Sequence, residues 1–211
     1  MSGSISGGHS PFDSVQPHDH VAFLCGRPEH WCNLASTFFR EGLENNQRCL
    51  YLNGLYRPQQ VYSLLVHESL PVGEARLGGR LAVKAATECF LTHGCLDIKS
   101  ALSSLASEVD AALASGCSGL RLLVDMNWTT YFSGGLPELL ACEGMLNELF
   151  MPFQPCLAVC HYERVLFPPK VLRLISAHHG STLDGDRLLS LPAHAAQSYQ
   201  PPRDRARMGA A

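Results

Sequence analysis

The chain has 211 residues, 46% of them apolar, and a formal net charge of −3. That length and apolar share suit one domain with a proper core and loose ends. The acidic balance and the lack of a run of five basic residues exclude nucleic-acid binding by this chain alone, which needs clustered Lys or Arg to neutralise phosphate. With no 18-residue apolar run and no N-terminal basic-then-apolar signal, the chain reads as soluble and cytoplasmic, with no membrane partner.

Residues 1–17 are rich in Gly, Ser and Pro and read as a flexible N-terminal segment; 18–196 form the domain, and 197–211 a C-terminal tail. Val21 to Cys25 is apolar without alternation, as in a strand covered on both faces. Gly26 to Asn33 reads as a loop. Leu34, Phe38 and Leu43, with Ala35 and Phe39 beside them, then mark one helical face, and Cys49 to Leu52 begins a second strand. Strand, helix and strand within about 33 residues predict a βαβ unit and a parallel sheet with right-handed crossovers.

Pro58 opens a helix to about Glu68, Pro71 to Gly79 reads as a polar connection, and Leu81 to Lys84 as a short strand. Thr92 to Asp97 is a loop before a helix over Ile98 to Ser115, which Gly116 ends. Gly119 to Trp128 is a buried strand. Leu136 to Phe150 is a second amphipathic helix, Cys156 to Cys160 an apolar strand, Pro168 to His179 a helix, and Arg187 to Leu191 a last extended piece.

In parallel α/β sheets, ligands sit beyond the carboxyl ends of the strands. The segment after Cys25 stands where a nucleotide-binding protein keeps its phosphate cradle, GxxxxGK[ST]. Gly26-Arg27-Pro28-Glu29-His30-Trp31-Cys32-Asn33 keeps only the first glycine; the second glycine, the Lys and the hydroxyl are missing. Glu29 brings negative charge, and Trp31 fills room that a phosphate needs.

The nine cysteines read as thiols, because their number is odd and a chain of this size needs no disulfide staples. Cys25-x6-Cys32 and Cys156-x3-Cys160 fit no common zinc spacing, and Cys49, Cys117 and Cys142 read as small buried residues.

The order and spacing of several segments resemble the MEDS family, the sensory domain named from methanogen and methylotroph regulators. The segments are His20, Glu41 to Leu43 (EGL), Arg48 to Leu52 (RCLYL), Ser118 to Trp128 (SGLRLLVDMNW), Cys142 to Asn147 (CEGMLN) and Cys160 to Arg164 (CHYER), with His178 and Pro201-Pro202 beyond. The resemblance covers roughly residues 18–202. It implies a RecA-like or KaiC-like three-layer α/β fold with a mainly parallel central sheet and a degenerate phosphate loop, used for sensing rather than ATP hydrolysis. One departure is Asp125, which stands where the family usually has Glu before the Met of its EMxW motif.

The candidate ligand-binding residues are His20, Cys25, Arg27, Trp31, Asp125, Asn127, Trp128, Glu143, His161 and Tyr162. Asp125, Asn127 and Trp128 read as the polar wall and aromatic lid of a pocket, or as a cap on the following loop. His161 and Tyr162 read as pocket lining; His161 joining Cys160, Cys25 or His20 in a zinc or copper site is the metal alternative. Glu143 and Asn147, four apart on one helix, reach the site together or form a solvated face. Cys25, near Arg27, His30 and a helix N-terminus, reads as an activated thiol, whereas His178 and His179 read as protonated residues at a helix end.

The function expected is a non-catalytic sensory or signal-relay domain that binds a small organic ligand, with no cofactor. Its expected partner is a separate regulatory protein such as a histidine kinase, sigma-factor regulator or transcription factor, and homo-oligomer formation is a further expectation. The alternatives are an adaptor with an empty site, a metal or redox sensor built on Cys and His, and a residual ATPase using Asp125.

Overall fold

The computed structural model describes residues 10–54, 57–131, 135–185 and 187–190. The start of the expected flexible segment, residues 1–9, together with Leu191, Pro201-Pro202 and the tail lies outside them.

Strand β1 (His20–Cys25) is followed by α1 (Pro28–Glu44), β2 (Arg48–Asn53), α2 (Pro58–His67), α3 (Val72–Leu77) and β3 (Leu81–Ala85). Next come α4 (Ala86–Phe90), a small hairpin of β4 (Leu91–Thr92) and β5 (Cys95–Leu96), α5 (Ile98–Ala114) and β6 (Leu120–Asp125), which runs into a 3-10 turn at Met126–Tyr131. Helix α6 (Gly135–Met145) continues as a π-helical segment, Leu146–Phe150, before β7 (Cys156–Glu163), α7 (Pro169–Ala177), β8 (Ser181–Asp184) and β9 (Arg187–Ser190).

Seven strands form one sheet in the order β3-β2-β6-β7-β1-β8-β9. Every neighbouring pair is parallel except β8 and β9. Strands β1 and β2, consecutive in the chain, are separated by β6 and β7. Side-chain alternation sorts the strands into two cores: Val21, Phe23, Tyr51, Leu123 and Val159 pack beneath α1, α2 and α3. Ala22, Leu24, Leu52, Leu122 and Ala158 pack beneath α4, α5, α6 and α7. Strands β1 and β6 are buried at every position, which is why their sequences are apolar runs.

Four local expectations are corrected. Helix α1 begins at Pro28 rather than after Asn33, since proline's fixed φ and missing N–H suit the first helical position. The connection over 71–79 holds α3, and the loop over 92–97 holds the β4–β5 hairpin. The packed body begins before residue 18: Phe12 and Val15 are buried, and the Phe12 ring lies 5.1 Å from that of Phe38. Burying a side chain of that size contributes about 1.5–3 kcal/mol, which ties the segment down.

Gly42, within the EGL segment, has a packing reason. A Cβ there would sit 2.7 Å from Cys49 Sγ and 2.8 Å from Arg121 Cδ, so only glycine lets α1 approach the sheet this closely. None of the nine cysteines is in a disulfide.

Candidate functional site

The ten candidate residues do not line one cleft. The sheet separates most of them into two buried polar clusters, one under α1 and one under α6 and α7, while Arg27 is exposed and Trp128 lies in the apolar core.

Under α1, at the carboxyl ends of the strands, β6 delivers Asp125 and β7 delivers His161 in register with it. Both are fully buried, and Asp125 Oδ1 lies 3.7 Å from His161 Nδ1. The Asp125 carboxylate accepts the Gly54 backbone N–H at 3.2 Å and the Asn127 N–H at 3.1 Å. The Asn127 side-chain oxygen accepts the Glu163 N–H at 2.8 Å. These two side chains therefore staple the exits of β2, β6 and β7 together, as a cap would.

Neither ring nitrogen of His161 has a hydrogen-bond partner among the described residues. Its ring stacks on Phe23 at 5.6 Å and meets Trp31 at 6.4 Å. Trp31, in the first turn of α1, is buried and also meets Tyr51 at 5.9 Å. Arg27 stands at the rim with an exposed side chain, and its Nη2 lies 3.0 Å from His30 Nε2. The Cys25 thiol donates to the Arg27 carbonyl at 3.0 Å. Burial, the largest effect, raises the pKa of that thiol, so the expected activation is corrected: desolvation outweighs the helix N-terminus. Trp128 turns to the other face and stacks on Phe90 at 5.8 Å within the apolar core, away from the position of a lid over Asp125.

Under α6 and α7 the second cluster is built from four separate elements. His20 opens β1, Glu143 lies on α6, Cys160 and Tyr162 lie on β7, and His179 follows α7; all are buried. One ligating atom from each of His20, Glu143, Cys160 and His179 lies within 4.8 Å of all the others. His20 Nε2 is 3.2 Å from Glu143 Oε2 and 3.2 Å from Cys160 Sγ. His179 Nε2 is 3.4 Å from Glu143 Oε2, and Cys160 Sγ is 3.9 Å from it.

The surrounding hydrogen bonds fix which atoms face inward. Asn147 donates its side-chain N–H to the His178 carbonyl, so its oxygen faces His20 Nδ1 at 2.9 Å and Nδ1 carries the proton. The His179 Nδ1–H donates to the Ile175 carbonyl at 2.8 Å. In both rings Nε2 is left with its lone pair toward Glu143. The Tyr162 hydroxyl donates to Glu143 Oε1, which leaves Oε2 facing the two imidazoles.

Burial first, and then His179, lowers the His20 pKa to about 4. Burial likewise lowers that of His179 to about 4. His179 is thus neutral and buried rather than a charged helix-end residue, a correction with desolvation as its cause. Burial pushes up the pKa values of Glu143, Cys160 and Tyr162. Glu143 and Asn147 reach the same site, and the π-helical segment that carries Asn147 sits beside it; such segments recur at functional sites.

Sequence reasoning does not find His179 as a site residue; it offers Cys160 only beside His161 in the metal alternative and Asn147 only as a companion of Glu143. The readable signal was Glu143 itself, which shares the apolar face of its helix with Leu139, Leu140 and Leu146.

The fold is the RecA-like three-layer arrangement. A KaiC-like protein from the archaeon Pyrococcus horikoshii aligns with a TM-score of 0.59 and 12% identity over 79% of this chain and 70% of its own. An uncharacterized protein of the same organism, solved in complex with an unknown peptide, gives 0.64 and 12% over 80% and 77%. No curated protein matches in sequence. The chain belongs to the MEDS family, the MEthanogen/methylotroph, DcmR Sensory domain, which matches residues 19–180. No described helix is long and apolar enough to cross a membrane.

Proposed function

We propose that this chain is a non-catalytic, cytoplasmic signal-sensing domain that binds a small organic ligand at the carboxyl ends of the strands under α1. It passes the bound state to a separate regulatory protein of histidine-kinase, sigma-factor-regulator or transcription-factor type. The observation that carries this reading is the connection after β1, where only Gly26 and Arg27 separate the strand from a helix that starts at Pro28. A phosphate cradle needs a longer loop of backbone N–H groups and a Lys. Here Trp31 packs on Tyr51 and His161 instead.

His161 supplies the recognition chemistry. Its ring nitrogens, without hydrogen-bond partners among the described residues, suit a small molecule that carries both a donor and an acceptor. Such a ligand would enter past Arg27 and His30. Helix α1 packs on β1, β2 and β6, so a ligand against its first turn bears on the whole α1 face.

The test is isothermal titration with ATP and magnesium, with native mass spectrometry of the protein as purified. The expected result is no hydrolysis, millimolar or weaker nucleotide binding, and a retained small molecule that His161→Phe fails to retain. Micromolar nucleotide affinity would overturn the reading.

A further inference from the structure

We propose that His20, Glu143, Cys160 and His179 form a binding site for one zinc ion, on the face of the sheet opposite His161 and independent of the ligand proposed there. The separations among the four donor atoms carry the assignment. A tetrahedral zinc ion with bonds of about 2.0–2.3 Å holds its ligand atoms about 3.3–3.7 Å apart. Of the six separations, the three to Glu143 and that between His20 and Cys160 are 3.2, 3.4, 3.9 and 3.2 Å, and all six lie within 4.8 Å.

A second, independent observation concerns saturation. His179 Nε2 is buried, faces Glu143 and has no hydrogen-bond partner among the described residues. Each imidazole is held through Nδ1 by an outer acceptor, the Asn147 side chain for His20 and the Ile175 carbonyl for His179. Ligating histidines are oriented this way, with Nε2 left for the metal. Tyr162 does the same for the carboxylate.

Charge points the same way. Glu143 is fully buried, and among the described residues its ion-pair partners are His20 and His179, with no Lys or Arg. A buried carboxylate needs a compensating cation. Zinc bound to one carboxylate, one thiolate and two neutral imidazoles makes a site of zero net charge; on binding, the Cys160 proton leaves to solvent. The mixed nitrogen, sulfur and oxygen set suits zinc better than magnesium or calcium, which take oxygen. The bound ion would join the start of β1, the middle of β7, α6 and the end of α7.

The test uses the full chain stripped with a chelator and then titrated with Zn²⁺ against a competing chelator, and separately with Co²⁺. We expect one equivalent of zinc, and a tetrahedral cobalt spectrum with a thiolate-to-metal charge-transfer band. Glu143→Gln and His179→Asn should each weaken zinc by roughly 100-fold or more, and Cys160→Ser should abolish the charge-transfer band. Cys95→Ser, which removes an exposed thiol, should change nothing. Substoichiometric uptake by the natural sequence, an octahedral cobalt spectrum, or a band lost with Cys95 would overturn the site. The cobalt spectrum of the unsubstituted protein decides the matter even where a variant fails to fold.

Discussion

The two faces of the sheet use buried polar residues in opposite ways. Under α1, Asp125 and Asn127 spend their oxygens on backbone N–H groups at the strand exits, so the cluster holds the fold's edge together and leaves mainly His161 to spare. Under α6 and α7, surrounding side chains and backbone bond the outer atoms of His20, His179 and Glu143, and the inner atoms converge on one another and on Cys160. A similar number of polar groups therefore stiffens one side and leaves converging donor atoms on the other. The same scaffold can stabilise with one face and bind with the other, because alternation along β6 and β7 sends successive residues to different layers.

The widest gap between the faces should appear on acidification of the metal-free protein. The folded-state pKa values of His20 and His179 are about 4, against 6.5 for the free side chain. Between these values the unfolded chain binds protons that the folded chain refuses. Stability is thus full above pH 6.5 and falls as pH drops toward 4. Each shift corresponds to roughly 3 kcal/mol, and the two together to about 7 kcal/mol at most. The raised Glu143 pKa works the other way, since the folded state takes up its proton sooner, and offsets part of the loss. Urea denaturation from pH 7 to 4 measures the net slope. Replacing both imidazoles, as in His20→Gln with His179→Gln, should flatten it, and an unchanged slope would mean that these rings are not buried as neutral groups.

Next in size is Asp125→Ala. It strips the acceptor from the Gly54 and Asn127 N–H groups, at about 1–3 kcal/mol for each buried donor left unsatisfied. We expect a loss of about 2–4 kcal/mol in urea denaturation and unaltered zinc uptake. If zinc affinity fell in step, the faces would not be independent.

The contrast was only half legible in the sequence. Apolar runs announced β1, β6 and β7 and the parallel sheet, because strands buried on both faces cannot alternate. Pro28 carries the same helix-start signal as Pro58, but the apolar period, which begins only at Leu34, hides the first six residues of α1. Grouping the functional residues needed more. Cys160 and His161 are neighbours in the chain, yet they face opposite layers, and which of them meets His20 depends on the register of β1 against β7, where His20 pairs with Ala158. No local pattern encodes a pairing between strands so far apart. His179 misleads for a related reason: its position at the end of α7 suggests a protonated residue, and only packing against the sheet reveals that the helix end is covered.

The smallest expected effect tests the strand-end face at its rim. Arg27 is the one basic residue between β1 and α1, and so the natural substitute if any residue replaced the phosphate-binding Lys. Its side chain is 67% exposed, and its contact with Glu29, at 3.7 Å, is a surface pair of the kind that contributes little. Arg27→Ala should therefore move stability by less than about 0.5 kcal/mol. Thermal melts with and without ATP and magnesium should show no nucleotide-dependent shift in either protein. A shift of several degrees that disappears in the variant would instead make Arg27 a phosphate ligand. It would place nucleotide on this face, and the sharp division of labour between the two sides of the sheet would fail there first.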